Sequence, residues 1–406
     1  MNKTTLRHTT CNVKKIAFIV QRYGLEVNGG AEHHCRLLAE HLSEYFDVEI
    51  ITTCAIDYMT WKNEYPPGCT NVNGVQVRRF PVDSERDVLK FNKFSEKIFA
   101  GLHSYEDEIT WMKMQGPYST GLLNYLKDKK DDYDCFLFFT YLYCTTFFGL
   151  PLVREKAFLV PTAHDEPPIY LSIFDSFFDL PYGIICNTAE EKKFIESRFK
   201  NQHSISSVVG VGIDFPADLD AKSFTGKYGV DNFILYVGRI DESKGCRELF
   251  DFFLQYKKEN KSSIKLVLMG QEVMKVPKHP DILSLGFISD QDKFNGISAA
   301  NLLIMPSKYE SLSMVLLEAW LCNTAVLVNG NCAVLKDQCI KANAGLYYTN
   351  YDEFREGLNF LLRNNRLRTQ LGLNGNEFTK ENYSWDVIES KYLRLLSDLK
   401  QLIEVA

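Results

Sequence analysis

Short apolar runs of three to six residues, bounded by Gly, Pro, Asn or Asp, recur along this chain in two series with helical patterns between them. That alternation constrains the fold more than any other feature, because buried strands separated by amphipathic helices build parallel α/β layers. The first series is Ile16–Val20, Val48–Thr52, Phe136–Thr140, Phe158–Pro161 and Ile184–Cys186, interrupted at about 56–130 by an insertion that holds a strand at Val75–Phe80. The second is Phe233–Val237, Ile264–Met269, Ile282–Leu285, Leu302–Met305 and Ala325–Val328. Helical period places Ala31, Cys35, Leu38, Ala39 and Leu42 on one face, Leu249, Phe252, Phe253 and Tyr256 on another, and Ile388, Tyr392, Leu395, Leu396 and Leu399 on a third. Periodicity lapses over 200–232. The expected architecture is α/β, with two Rossmann-like domains at 1–203 and 204–384 and a last helix in 385–406.

A chain of 406 residues exceeds what a single core usually supports, which agrees with two domains. Hydrophobic residues at 45% and charged residues at 24% exclude a disordered chain. The formal net charge of −6 gives no global attraction to nucleic acid, so none is expected as a partner. The 11 cysteines are scattered without CxxC spacing and read as reduced thiols of a cytoplasmic protein. The N-terminal stretch lacks the apolar core of a secretion signal, since Ile16–Val20 runs into Gln21, Arg22 and Tyr23. Cys135–Val153 carries no charge and approaches the length of a membrane span, but its threonines, Gly149 and Pro151 split it into a buried strand and a packed loop or helix.

Three constellations carry chemistry. In QRYGLEVNGGAEHHCRLLAEHL, Gly29 and Gly30 precede a helix, where backbone N–H groups and the helix dipole favour an anion. No GxGxxG is present, which weighs against a dehydrogenase. In VGRIDESKG, Arg239 and Lys244 sit on a strand-to-helix connection, where an Arg fork and a Lys point charge suit a diphosphate. In PSKYESLSMVLLEAWLCNTAVLV, Glu310 leaves a strand and Glu318 lies within an apolar helix pattern. A carboxylate there is costly to bury without a partner, so it faces a ligand or a cation. The amides of Ser313, Met314 and Val315 at that helix start point toward phosphate.

These residues resemble the retaining GT-B glycosyltransferases, the large family that includes sucrose synthases and mannosyltransferases of glycolipid assembly. The Glu-x7-Glu pair Glu310 and Glu318 carries most of the likeness, with the GGAE turn, GRIDESKG and the closing YSWDVIESKYLRLL helix in support. The resemblance implies two Rossmann-like domains facing each other across a cleft, with the last helix crossing back to the first. It implies retaining, metal-independent transfer from a nucleoside diphosphate sugar to a glycan or lipid-linked acceptor, in surface polysaccharide or glycolipid assembly. Arg239 and Lys244 would meet the diphosphate and Glu318 the ribose, while Glu310 and His164, the latter from LVPTAHDEPP, would meet the donor sugar. Gly29, Gly30, Gly238, Phe287 and Ile288 complete the expected donor contacts. Arg22, His33 and Phe174 are expected on the acceptor side, and peripheral contact with the inner face of a membrane stays open.

Ser313 stands where the family commonly has glycine and Asn323 where glycine usually follows the helix, while Pro is missing at Thr324–Ala325. No metal or other cofactor is expected. Asp218–Leu219–Asp220 falls in the linker, and Asp290–Gln291–Asp292 after Ser289 reads as a helix start with its cap. The competing readings are a non-catalytic sugar-nucleotide-binding subunit of a polysaccharide assembly complex and an epimerase.

Overall fold

The protein is described by a computed structural model covering residues 14–200, 206–215 and 218–403. The N-terminal stretch read for a secretion signal and the division expected at 203–204 lie outside the described residues, as do the side chains from 398 onward, including Leu399. Two compact units form: one from 1–212 together with 385–406, the other from 213–384.

Unit 1 is built on an eight-stranded sheet: β1 (Lys15–Ile19), β2 (Asp47–Thr53), β3 (Gly68–Val72), β4 (Val75–Phe80), β5 (Cys135–Phe139), β6 (Ala157–Val160), β7 (Gly183–Cys186) and β8 (Ser206–Val208). The order is β3-β4-β2-β1-β5-β6-β7-β8, parallel throughout except for the antiparallel pair β3 and β4. Its central strands are apolar on both faces because helices cover both; hence Cys135–Phe139 is wholly buried, and the rest of the uncharged Cys135–Val153 run turns into a short helix, Cys144–Phe147, packed on the same core. Among the described residues no helix is long and apolar enough to cross a membrane.

Unit 2 carries six parallel strands, β9 (Phe233–Val237), β10 (Lys265–Met269), β11 (Ile282–Ser284), β12 (Leu302–Met305), β13 (Val326–Asn329) and β14 (Gly345–Tyr348), in the order β11-β10-β9-β12-β13-β14. This is the doubly wound arrangement, in which strand order reverses between the first and fourth strands and ligands gather at the carboxyl ends of that pair. Unit 1 has the same reversal between β1 and β5. The fold is that of GT-B proteins, two Rossmann-like domains.

The apolar stripes are core contacts. Cys35, Leu38, Ala39 and Leu42 of the helix Gly30–Leu42 pack with Ile16, Phe18 and Val20, and Ile388, Tyr392 and Leu396 of the helix Trp385–Ile403 join the same cluster. The last helix is held on unit 1 by Trp385, which stacks on His41 with ring centroids 3.6 Å apart, and by Glu389, which accepts from Tyr45 at 2.8 Å. Asn323 adopts a left-handed φ of 58°, as an asparagine tolerates after a helix. Asp220 caps the helix Ala221–Tyr228 and Ser289 the helix Asp290–Ala299, each through its side chain.

Candidate active site

The site in unit 2 is built where the doubly wound sheet reverses. After β9 the chain passes through Gly238, Arg239 and Asp241 to Lys244 and enters the helix Cys246–Glu259 at Gly245. After β12 it runs from Pro306 through Glu310 to Ser313 and the helix Met314–Leu321. The two loops touch. Gly245 has φ 75°, and a Cβ there would lie 2.3 Å from the Pro306 carbonyl oxygen, so only glycine permits the approach. The buried Asn329 amide ties the second loop further by donating to the Pro306 carbonyl at 3.0 Å.

This contact brings Lys244 Nζ to 2.8 Å from Glu310 Oε1. Arg239 is paired with Asp241, whose other oxygen accepts from Ser243 Oγ at 2.6 Å and from the Lys244 amide at 2.9 Å. Burial pushes the Asp241 carboxyl upward, but hydrogen bonds from Ser243 and Arg239 outweigh it and hold it below its ordinary value. Asp241 therefore stays charged and fixes the turn. Both cations keep surface: the Arg239 side chain is 40% exposed and that of Lys244 33%. Paired yet accessible, they can turn toward a phosphate without having been desolvated first.

Ser313 caps the helix Met314–Leu321 by accepting from the Leu316 amide at 3.3 Å. The first amides of a helix have no partner inside it, so Met314 and Val315 present donors at this end. Ser313 has φ −99°, ordinary extended backbone, which is why a residue other than glycine fits. One turn on, Glu318 is only 5% exposed. Its Oε1 accepts from Lys293 Nζ at 2.9 Å, and its Oε2 is buried without a partner. Lys293 comes from the helix Asp290–Ala299 and is held charged: burial lowers its affinity for the proton, and Glu318 and Asp290 more than restore it. A buried carboxylate oxygen without a donor is costly unless a ligand hydroxyl supplies one. Beyond β11, Phe287 is 73% exposed and Ile288 half-buried, while Gly238 donates to the Met269 carbonyl at the end of β10, and its own carbonyl leaves no room for a Cβ at Gly270.

Unit 1 places its residues differently. The Gly29–Gly30 turn is closed by a buried ion pair, with Arg22 donating to Glu32 Oε1 at 2.6 Å and to the carbonyls of Ile56 and Asn28. Glu32 stands in the first turn of the helix, where the dipole favours it, and its carboxylate packs against Gly29, leaving no room there for a Cβ. Gly30 is exposed and uncrowded. The donors of Arg22, expected on the acceptor side, are occupied by Glu32 and two carbonyls. Phe174 is fully buried, with its ring 5.0 Å from Tyr141. His33 is half-buried beside Arg36, whose guanidinium lies 3.0 Å from its Nδ1.

His164 follows β6 and is half-buried, its Nδ1 3.3 Å from Glu166 Oε1. Glu166 is held by the Tyr141 hydroxyl at 2.9 Å.

Sequence reasoning named Arg239, Lys244, Glu310 and Glu318 but not the side chains that pair with them. Asp241 stood two residues from Arg239. Lys293, in another helix, gave no local signal. Glu32 stood in the quoted GGAE turn.

Residues 220–378 match the family model described as Glycosyl transferases group 1. An uncharacterised glycosyltransferase of Methanocaldococcus jannaschii is 24% identical over 92% of this chain and 95% of its own length. For two other uncharacterised glycosyltransferases of that organism, the matched region is 56% of the relative's length. Among solved structures, a sucrose-phosphate synthase from Thermosynechococcus elongatus has a TM-score of 0.68 at 15% identity, covering 97% of this chain and all of the other. Anabaena HepE in complex with UDP and glucose has a TM-score of 0.67 at 14% identity, covering 95% and 100%.

Proposed function

We infer that this chain, with a group 1 glycosyl transferase domain at 220–378 on a GT-B fold, is a glycosyltransferase that takes its sugar from a nucleoside diphosphate. The observation that carries this reading is the convergence of Arg239, Lys244 and Glu310 on the switch point of unit 2, beside the start of the helix Met314–Leu321. Two accessible cations and helix-terminal amides suit a diphosphate, whose charge grows as the bond to the sugar breaks. The unpartnered Glu318 Oε2 suits a ribose hydroxyl as donor. The Anabaena protein's structure with UDP-glucose makes that sugar nucleotide the first probe.

In the mechanism we propose, the acceptor hydroxyl attacks the anomeric carbon from the side the diphosphate leaves, and its proton passes to a phosphate oxygen. The anomeric configuration is retained and no protein nucleophile takes part. Glu310 is already bound to Lys244, so its role is to position the lysine and the donor sugar. His164 of unit 1 serves the donor sugar in this reading, and the acceptor is a glycan or lipid-linked glycan of surface polysaccharide or glycolipid assembly. Turnover needs no metal ion.

The test is to incubate the protein with UDP-glucose, alone and with glycan acceptors, and follow UDP release and the configuration of the product by NMR. Release of UDP with an α product, undiminished by EDTA, is expected. A β product would overturn retention, dependence on Mg²⁺ the metal-free step, and tight binding without release of UDP from any sugar nucleotide the catalytic reading itself.

A further inference from the structure

Glu191 carries a buried carboxyl in unit 1 to which the reaction above gives no role. It is 1% exposed, and among the described residues no Lys, Arg or His lies within ion-pair distance of it. Its partners are backbone amides: Oε1 accepts from the Ala163 N–H at 2.6 Å and Oε2 from the Asn187 N–H at 2.6 Å. A carboxyl buried without a cation is expensive to ionise, and its short bonds from two amides offset part of that cost.

The start of the helix Ala189–Phe199 does not need this carboxylate. Thr188 already caps it, accepting from the Glu191 amide at 3.1 Å. Glu191 instead reaches sideways and ties the end of β6 to the end of β7. The residue it grips, Ala163, immediately precedes His164.

The backbone it grips is also strained. Thr162 has φ 49°, and Thr140, at the end of the neighbouring β5, has φ 67°. A β-branched residue rarely adopts this conformation, which costs about 1–3 kcal/mol and persists only where surroundings enforce it. The two threonines face each other, with Thr162 Oγ1 donating to Thr140 Oγ1 at 3.1 Å. Glu191 secures the chain one residue beyond Thr162. On the other side of His164, Tyr141 holds Glu166 and the Tyr170 hydroxyl donates to Asp165 at 2.6 Å.

We propose that Glu191 is a positioning residue: by binding the amides of Ala163 and Asn187 it fixes the backbone from which His164 emerges. Its catalytic consequence rests on the reading of His164 as the residue that serves the donor sugar. Substitution by Gln tests it sharply, because one oxygen becomes an NH2 that must face a backbone N–H. The fold keeps its volume while the clamp loses one bond.

The experiment uses the full chain with labelled histidine, the His164 imidazole signal being identified by its loss in His164→Ala. In Glu191→Gln the His164 signal should move while that of His279 in unit 2 stays. With UDP-glucose as probe, kcat for UDP release should fall about 10- to 100-fold, as expected for a misplaced group, with KM changed less than about twofold. In a His164→Ala background the Glu191 substitution should add nothing. In the unaltered protein, amide exchange at Ala163 should be slow. An unmoved His164 signal in a folded Glu191→Gln protein, losses that add in the double variant, or rapid exchange at Ala163 in the unaltered chain would each overturn the proposal. Full turnover in His164→Ala would defeat only the role given to His164, since the His164 signal and the Ala163 amide still decide whether Glu191 holds the loop.

Discussion

Each unit sends an arginine into the turn after its first strand, and the two arginines live in opposite circumstances. Arg22 follows β1, is buried, and spends its donors on Glu32 and on two carbonyls. Arg239 follows β9, keeps 40% of its side chain exposed and has Lys244 five residues away in the same turn. The same fold position serves as a structural clasp in one unit and as an accessible charged surface in the other. The difference lies in the acid: Glu32 enters the first helical turn and is buried with its arginine, whereas Asp241 sits inside the loop and leaves the guanidinium facing water. Doubly wound topology thus names two places for a ligand, and of these two arginines only Arg239 keeps its cation accessible.

The comparison predicts opposite phenotypes. Cutting the unit 1 clasp by Arg22→Met or Glu32→Gln leaves a buried charge alone and should cost about 3–5 kcal/mol, read by urea unfolding, while folded protein still binds UDP with unchanged affinity. A loss below about 1 kcal/mol would break the contrast. In unit 2, Arg239→Ala and Lys244→Ala should each lower turnover about 10²-fold or more, as removal of a preorganised donor to a developing oxyanion does. Their stability should change by no more than about 1 kcal/mol, because partly exposed ion pairs contribute little.

Glu318→Gln should weaken UDP binding roughly tenfold, in line with the loss of a charged hydrogen bond, and calorimetry would measure it. Lys293→Met sharpens the point: it leaves Glu318 buried without its cation and should lower both UDP affinity and stability. A further contrast is a pH slope. Burial pushes the Glu191 carboxyl up to about 8, against the pull of its backbone hydrogen bonds. An acid raised in the folded state stabilises fully below its unfolded value and loses that contribution as pH rises through the folded one. The melting temperature should therefore fall as pH climbs from about 4.5 toward 8, and fall less in Glu191→Gln.

Strand positions were legible wherever apolar runs were continuous. Val75–Phe80, Phe233–Val237 and Leu302–Met305 are strands with the bounds that the apolar pattern gives. The strands that pattern reading misses are β3, mostly exposed at the sheet edge, β8, three residues inside the stretch read as a linker, and β14, whose GLYY offers little contrast. Residues of the unit 2 site could be named because chemistry and spacing coincide there: Arg239 and Lys244 share one turn, and Glu310 and Glu318 share one loop and helix. Their partners were harder. Lys293 meets Glu318 only through packing of two helices, which no local pattern encodes. Glu191 did leave a trace, standing third after the cap Thr188 as in a capping box, but it bonds the Asn187 and Ala163 amides instead of the cap's own. The burial of Arg22 and Phe174 could not be read either, because residue type and position in sequence do not report it.

Binding of a nucleoside diphosphate by unit 2 through Arg239 and Lys244 is the central proposal. Thermal unfolding of the unaltered protein, Arg239→Ala and Lys244→Ala across a titration of UDP tests it most directly. At about 100 times its Kd, UDP should stabilise the unaltered protein by roughly 2.7 kcal/mol, and each substitution should remove most of that gain at the same concentration. No stabilisation by UDP, GDP or ADP, or equal stabilisation of all three proteins, would contradict it.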